Sequence, residues 1–357
     1  APFLGVLCAV SDNLLTLLET FAGAAADLDF ASLVTGRPPA FYFALVWIAL
    51  VLLLLSVEKA QRDIRVLCFL MAAVGLFSFA HQLTASGKVV MLDVGQGDAI
   101  LIITPFHRSA VLIDTGGVIT FEREAWQVRE TATTAGEKLV SIIKAEGVKK
   151  LDRVFLTHAD QDHVGSLREL AEGLPIDAVY FPKGAEGNAA FAAVLLELQS
   201  QHQVGLFPLL GKVDLEIDAD FVFHILAPLA PGEGGNEDSL VIQTSIGGLD
   251  WLFTGDLGEE GEEVLMRTYP DLKTDVLKIG HHGSATSSSE GFLDHVQPEL
   301  ALISAGKQNR YGHPDAQILE RLELRNIPIF RTDRQGAIHF LYGSEETEWR
   351  TILENKK

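Results

Sequence analysis

The chain has 357 residues, 48% of them hydrophobic, with a mean hydropathy of +0.21 and a net charge of −20. That length allows more than one domain, and its two cysteines, Cys8 and Cys68, both in apolar stretches, exclude a disulfide framework and any thiolate metal site. The negative charge lies beyond residue 88, where 23 Lys and Arg face 42 Asp and Glu. This excludes a general affinity for phosphate backbones: any nucleic-acid contact there must be local or carried by bound cations.

The chain opens on Ala1 with an uncharged start, which does not read as a signal peptide and is taken as an internal start within a longer chain. Residues 1–26 are apolar with Asp12 and Glu19 interposed, fitting the end of a spanning helix or an interfacial one. Phe41–Val57 is an uncharged apolar run at the short end of what crosses a bilayer, and Val66–Ala85 is a second. The loop between them carries Lys59, Arg62 and Arg65. Together they predict a membrane hairpin with a cytoplasmic loop, so that everything after Ala85 lies on the outer face. A first domain is therefore expected over 1–87 and a second over 88–357.

From Lys88 the pattern changes to short strands. Val89–Val94, Ala99–Thr104 and Ala110–Asp114 read as an antiparallel meander, Gly136–Glu146 as a helix and Leu151–Thr157 as a buried strand. Further strands are expected at Ala178–Phe181, Phe221–Leu226, Leu240–Ser245, Trp251–Thr254, Val276–Ile279 and Leu300–Ser304. Helices are expected at Val164–Ala171, Ala189–Gln201, Glu259–Tyr269, Ser288–His295 and Ala316–Arg325. Ile327–Tyr342 reads as a strand pair turned at Asp333–Gly336. The alternation predicts an α/β fold of layered sheets with helices outside.

The chemistry concentrates after Leu151–Thr157. Within six residues, His158, Asp160, Asp162 and His163 offer two imidazoles and two carboxylates, spaced only by Ala159 and Gln161. One Asp-His pair would read as a helix cap, with Asp162 as N-cap; four potential ligands at a strand end point to metal. Other strand ends supply Asp256, the adjacent His281 and His282, and His313. Taken singly each has a structural reading, but jointly they argue for a binuclear site.

These residues, with Ile113-Asp114-Thr115-Gly116, Phe253-Thr254-Gly255-Asp256 and Gly280-His281-His282-Gly283-Ser284, resemble the metallo-β-lactamase superfamily. More narrowly, Leu92–Ala99 with Asn236–Leu240 is similar to the ComEC family of competence DNA-uptake proteins, which carry this domain after a multi-helix membrane channel. The resemblance covers essentially the whole chain. It implies a metallo-β-lactamase-like αββα sandwich preceded by transmembrane helices. Residues 1–87 would be the end of the channel, in a multi-pass cell-membrane protein with the hydrolase on the extracytoplasmic side.

The resemblance assigns His158, Asp160 and His282 to one metal and Asp162, His163 and His313 to the other, bridged by Asp256. The usual second histidine of the motif is Asp160 here, a harder ligand that makes Mn²⁺ a rival to Zn²⁺ as the pair of divalent cofactors. No histidine ahead of Asp256 suits the usual third ligand. His224 sits mid-strand and reads as structural, so the pair His281-His282 takes over. Similarity to phosphorylcholine esterases of the superfamily points to His282 as ligand and His281 as free for substrate, an order the sequence leaves open.

Asp162, Asp256 and His281 are then the expected catalytic residues, with His281 or Asp160 passing a proton to the leaving oxygen. Asp114 is expected to orient a ligand histidine. Gln96 and Asp98 in the glycine turn, Asn236 and Ser239 before a strand, and Lys307 and Arg310 before His313 are expected around ligands or substrate. The implied function is a nuclease at the outer face of a transformation channel, degrading the non-transported strand. Its partners would be DNA, the membrane and other components of the uptake machinery. The alternatives are a phosphodiesterase on a cell-wall or lipid diester and a non-catalytic DNA-guiding module.

Overall fold

The computed structural model describes residues 15–21, 34, 36–37, 44, 47–48, 51, 84–117, 133–218, 221–307, 309–343 and 347–353. Both expected membrane runs lie almost wholly outside these residues, as do Cys8 and Cys68. Residues 44, 47, 48 and 51 of the first run are helical, with Trp47, Ile48 and Val51 exposed. Among the described residues, no helix is long and apolar enough to cross a membrane.

The rest builds two sheets. The first contains β1 (Gly87–Met91), β2 (Ile100–Ile103), β3 (Ala110–Ile113), β4 (Leu151–Phe155), β5 (Ile176–Pro182) and β6 (Gly205–Leu209). The second contains β7 (Val213–Asp218), β8 (Phe221–Ala227), β9 (Val241–Ile246), β10 (Leu249–Phe253), β11 (Val276–Lys278), β12 (Leu300–Ile303) and β13 (Ile329–Arg331). The chain then returns to the first sheet as β14 (Ile338–Tyr342) and β15 (Glu348–Thr351). The orders are β15-β14-β1-β2-β3-β4-β5-β6 and β13-β12-β11-β10-β9-β8-β7.

Each sheet joins an antiparallel part to a parallel part. β1, β2 and β3 form the expected meander, β3 to β6 run parallel, and so do β10 to β13. Central strands such as Ile100–Ile103 and Ala110–Ile113 are buried on both faces, which explains their unbroken apolar runs. Side chains alternate between cores: Val89 and Met91 pack between the two sheets, with Trp251, Phe253 and Phe340. Val90 and Leu92 pack instead against helix residues Leu139, Ile143, Leu167 and Leu198. A third core joins the far face of the second sheet to Leu265, Phe292, Ile318 and Leu322. Three apolar interfaces separating four layers make an αββα sandwich.

Two expectations change. Ile327–Tyr342 is not a strand pair: β13 is an edge of the second sheet and β14 pairs with β1 and β15 of the first. The Thr332–Gln335 turn carries the chain from one sheet to the other. Alternation tells which face of a strand is apolar but not which sheet it joins. Three strands, β6, β7 and β15, were not expected, and all lie on sheet edges. Pro208 in β6 weakens that strand signal, as prolines are tolerated mainly at edges, and β7 carries exposed Asp214 and Glu216 between its apolar residues.

Candidate metal centre

The ends of β3, β4, β10, β11 and β12 converge on one region between the sheets, and each delivers part of the site. Asp114 follows β3 with a positive φ of 57° and is fully buried. Its Oδ1 accepts from the Thr157 backbone N–H at 2.7 Å and its Oδ2 from the Thr157 hydroxyl at 2.7 Å. The same Oδ2 lies 2.8 Å from His163 Nδ1. A carboxylate there fixes the proton on Nδ1 and turns Nε2 inward. Asp114→Asn should therefore weaken metal affinity about 10–100-fold while leaving the fold in place, as read by competition with a chromogenic chelator.

The motif residues His158–His163 follow β4. Gln161–Val164 forms a single helical turn, earlier than the expected start near Val164, and a second helix spans Leu167–Gly173. Asp160, not Asp162, occupies the N-cap position, and its side chain caps nothing. Asp162 is thereby released to face the centre. The turn Gly95–Gly97 packs on the motif so closely that a Cβ on Gly97, whose φ is 118°, would sit 2.1 Å from the Asp162 carbonyl oxygen. Only glycine fits that approach.

Four side-chain atoms then meet. His163 Nε2 lies 3.3 Å from both His282 Nε2 and Asp256 Oδ2. His282 Nε2 lies 3.4 Å from Asp256 Oδ2 and 3.3 Å from Asp162 Oδ2. Ligand atoms about 2.0–2.1 Å from a tetrahedral centre stand about 3.3–3.4 Å apart, so these separations are the edges of such a coordination shell. The tautomers agree. His282 Nδ1–H donates to the Ser304 carbonyl at 3.1 Å and His163 Nδ1 faces Asp114, so both Nε2 atoms turn toward one another. Positive charge there, whether protons or a metal ion, is what reconciles them.

The electrostatics favour the same occupant. Burial opposes a proton on His282, but Asp256 and Asp98 outweigh it and push this imidazole up to about 9. His163 is likewise held well above the usual range by Asp256 and Asp114, against burial. A negative potential that retains protons on two imidazoles also attracts a metal, which would displace them. His158 behaves differently: burial, reinforced by His163, pushes it down to about 3 and leaves it neutral. Its Nδ1 lies 3.0 Å from the Thr157 hydroxyl, whose own proton goes to Asp114.

Around this cluster the other expected residues fall into place. His158 Nε2 has no hydrogen-bond partner among the described residues and lies 3.7 Å from Asp160 Oδ2. His281 stands at the mouth, its side chain 30% exposed, with Nε2 3.9 Å from Asp256 Oδ2 and Nδ1 3.5 Å from Asn236 Nδ2. His313 packs beside His281 with ring centroids 5.7 Å apart, and Tyr311 stacks on its other side at 5.9 Å. His313 Nδ1 is buried without a hydrogen-bond partner among the described residues. The Ser239 hydroxyl accepts from Asp256 N at 3.2 Å. Gln96 Oε1 lies 3.4 Å from Gly306 N, tying the glycine turn to the loop that bears Lys307 and Arg310, both exposed.

This grouping differs from the split that the resemblance implies. His282 sits with His163 and Asp162 in the tight cluster, while His313 pairs with His281 outside it. His282 is buried and His281 half-exposed, the arrangement expected of a ligand and a substrate-facing group. His224 stands outside the cluster, on β8 facing Asp214 of β7, 2.7 Å away. Asp98 lies closer to the centre than expected, since atoms of Asp98, His163, Asp256 and His282 all fall within 4.8 Å of one another.

Sequence reasoning missed Lys278, Ser304 and Thr157. Lys278 is 1% exposed at the end of β11, paired with Asp98 Oδ2 and 3.6 Å from Asp256 Oδ1. A lone lysine in the apolar run Val276–Ile279 was a usable signal, because a buried ammonium requires acidic partners. Ser304 acts through a backbone carbonyl, which no sequence pattern marks.

A profile of the Metallo-beta-lactamase superfamily matches residues 92–307. The chain belongs to the metallo-β-lactamase superfamily. It is 36% identical over 336 residues to ComE operon protein 3 of Bacillus subtilis, covering 93% of this chain and 43% of that protein. It is 33% identical to competence protein ComA of Neisseria gonorrhoeae, over 71% of this chain and 32% of the relative. It is 27% identical to recombination protein 2 of Haemophilus influenzae, over 82% and 33%. The chain thus spans less than half the length of the relatives it matches. Metallo-β-lactamase membership agrees with the αββα sandwich and with the metal-binding residues that the strand ends bring together.

Proposed function

We propose that this domain is a metal-dependent phosphodiesterase, and most specifically a nuclease acting on DNA at the outer face of a DNA-uptake channel, where it degrades the strand that is not transported. The reading rests on one observation above all: His163, His282 and Asp256 converge with the edge lengths of a tetrahedral divalent site, with Asp162 3.3 Å from His282 Nε2. The competence relatives supply the substrate class. The two apolar runs before residue 86 and the similarity to competence proteins support a multi-pass membrane location and association with other uptake components.

In this scheme the cluster would hold one divalent ion. A second ion would draw on His158 and Asp160, whose Nε2 and Oδ2 stand 3.7 Å apart, and on His313, whose Nδ1, like His158 Nε2, is buried without a hydrogen-bond partner among the described residues. A bound Mn²⁺ or Zn²⁺ would supply Lewis acidity to the phosphoryl oxygens and to the attacking water. The protein supplies the rest. Asp256 and Asp162 fix the centre, and Asp114, Thr157 and Ser304 fix the imidazole tautomers. His281, partly exposed beside Asp256 and Asn236, faces the substrate, and it or Asp160 hands a proton to the leaving oxygen. Lys307 and Arg310 place positive charge near the mouth of an otherwise acidic domain, so that phosphate meets cations locally.

The test is cleavage of a single-stranded oligonucleotide and of a small base-free phosphodiester by the full chain with Mn²⁺, with Zn²⁺ and with EDTA. Metal-dependent cleavage of DNA well above that of the small diester supports the nuclease. The reverse preference points to a cell-wall or lipid diester. Metal binding without cleavage of either points to a DNA-guiding module.

A further inference from the structure

Lys278 ends β11, in register with Phe253 of β10 and Leu302 of β12. Flanked on both sides by strands, its side chain runs to the strand end, where Nζ donates to the Gly255 carbonyl at 2.9 Å. It pairs with Asp98 Oδ2 and lies 3.6 Å from Asp256 Oδ1. The two aspartates are thereby divided. Asp256 gives Oδ1 to the lysine side and Oδ2 to His163 and His282. Asp98 gives Oδ2 to the lysine and places Oδ1 3.4 Å from His282 Nδ1. Asp98, Asp256 and Lys278 are all nearly inaccessible to water, so solvent screens none of these charges.

We propose that Lys278 is a built-in counter-ion that holds Asp98 and Asp256 in place before a metal arrives, pre-assembling the ligand set. Three carboxylates, Asp98, Asp162 and Asp256, crowd around His282, and without a cation they repel one another. The ammonium supplies the cation permanently, from the side opposite the Nε2 cluster. Asp98 then acts as a positioning residue toward His282 rather than as a metal ligand, although it lies close enough to be taken for one. This inference rests on the metal-centre reading and concerns what the chain does when the metal is absent.

Thermal unfolding of the full chain, followed by tryptophan fluorescence in EDTA and in saturating Mn²⁺, tests it. Lys278→Met should lower the midpoint in EDTA by roughly 10 °C, because it strands a buried carboxylate. Mn²⁺ should close most of that gap by restoring positive charge. Lys278→Met combined with Asp98→Asn should recover part of the EDTA loss, since the two effects are coupled through one pair. Equal losses in EDTA and in Mn²⁺ would show an ordinary packing role and overturn the proposal. So would a double variant no more stable than Lys278→Met, a comparison that remains decisive if the single variant does not fold. If the wild-type chain gains nothing from Mn²⁺, the metal-centre reading itself fails and takes this inference with it.

Discussion

Asp256→Asn should reduce metal-dependent phosphodiester cleavage to background, a loss on the order of 10³-fold or more, and should abolish tight metal binding. Among the carboxylates of the centre, Asp256 is the one that faces both Nε2 atoms of the cluster. Its Oδ2 lies within 3.4 Å of both His163 Nε2 and His282 Nε2, and its Oδ1 faces Lys278. The amide is nearly isosteric, so the backbone contact from Asp256 N to Ser239 survives. What is lost is charge: a neutral oxygen binds a divalent ion weakly, and the amide nitrogen does not bind it at all. Lys278 then keeps its ion pair with Asp98 and loses the one with Asp256. Steady-state cleavage of an oligonucleotide with Mn²⁺, alongside metal content per chain, checks both halves. Cleavage within tenfold of wild type would contradict the central place given to Asp256.

The metal-free chain should lose stability as pH rises from 6.5 to 9, and the metal-loaded chain should not. His282 is pushed up to about 9 by Asp256 and Asp98 against burial, and His163 is also raised. A folded-state value above the unfolded one of about 6.5 means that protonation favours the fold. The contribution is fully present below pH 6.5 and lost as pH climbs through the folded value. For His282 the span corresponds to roughly 3–4 kcal/mol at about 1.4 kcal/mol per unit. When a cation occupies the cluster, the Nε2 atoms no longer carry protons and the slope disappears. Urea midpoints at pH 6.5 and 8.5, in EDTA and in Mn²⁺, measure the difference. Parallel slopes in the two conditions would show that these imidazoles do not share the proposed site.

Much of this centre is legible in the sequence because its ligands sit next to strand ends, and a strand end is visible as the point where an apolar run stops. His158–His163 and His281–His282 announce themselves by density. Asp256 is found by the Gly255 turn that precedes it. What the sequence withholds is the pairing between distant residues. Nothing near Asp98 indicates that it meets Lys278, 180 positions later, and nothing marks Ser304 as the acceptor that sets the His282 tautomer. The division of ligands between two cations was carried by resemblance, whereas the geometry gathers His282 with His163 and Asp162.

The fold shows the same contrast. Central strands such as Ile100–Ile103 are readable because both faces are buried. Edge strands such as Val213–Asp218 present acidic residues to solvent and resemble loops. The crossing of the tail from β13 to β14 depends on which sheet has an open edge, a property of the assembled sandwich rather than of any local pattern.

The most direct test of the account is an anomalous-difference map from crystals of the chain grown with Mn²⁺. A peak about 2.0–2.2 Å from His163 Nε2, His282 Nε2, Asp256 Oδ2 and Asp162 Oδ2 is the predicted result. Metal bound elsewhere, with this cluster left without density under saturating Mn²⁺, would contradict it.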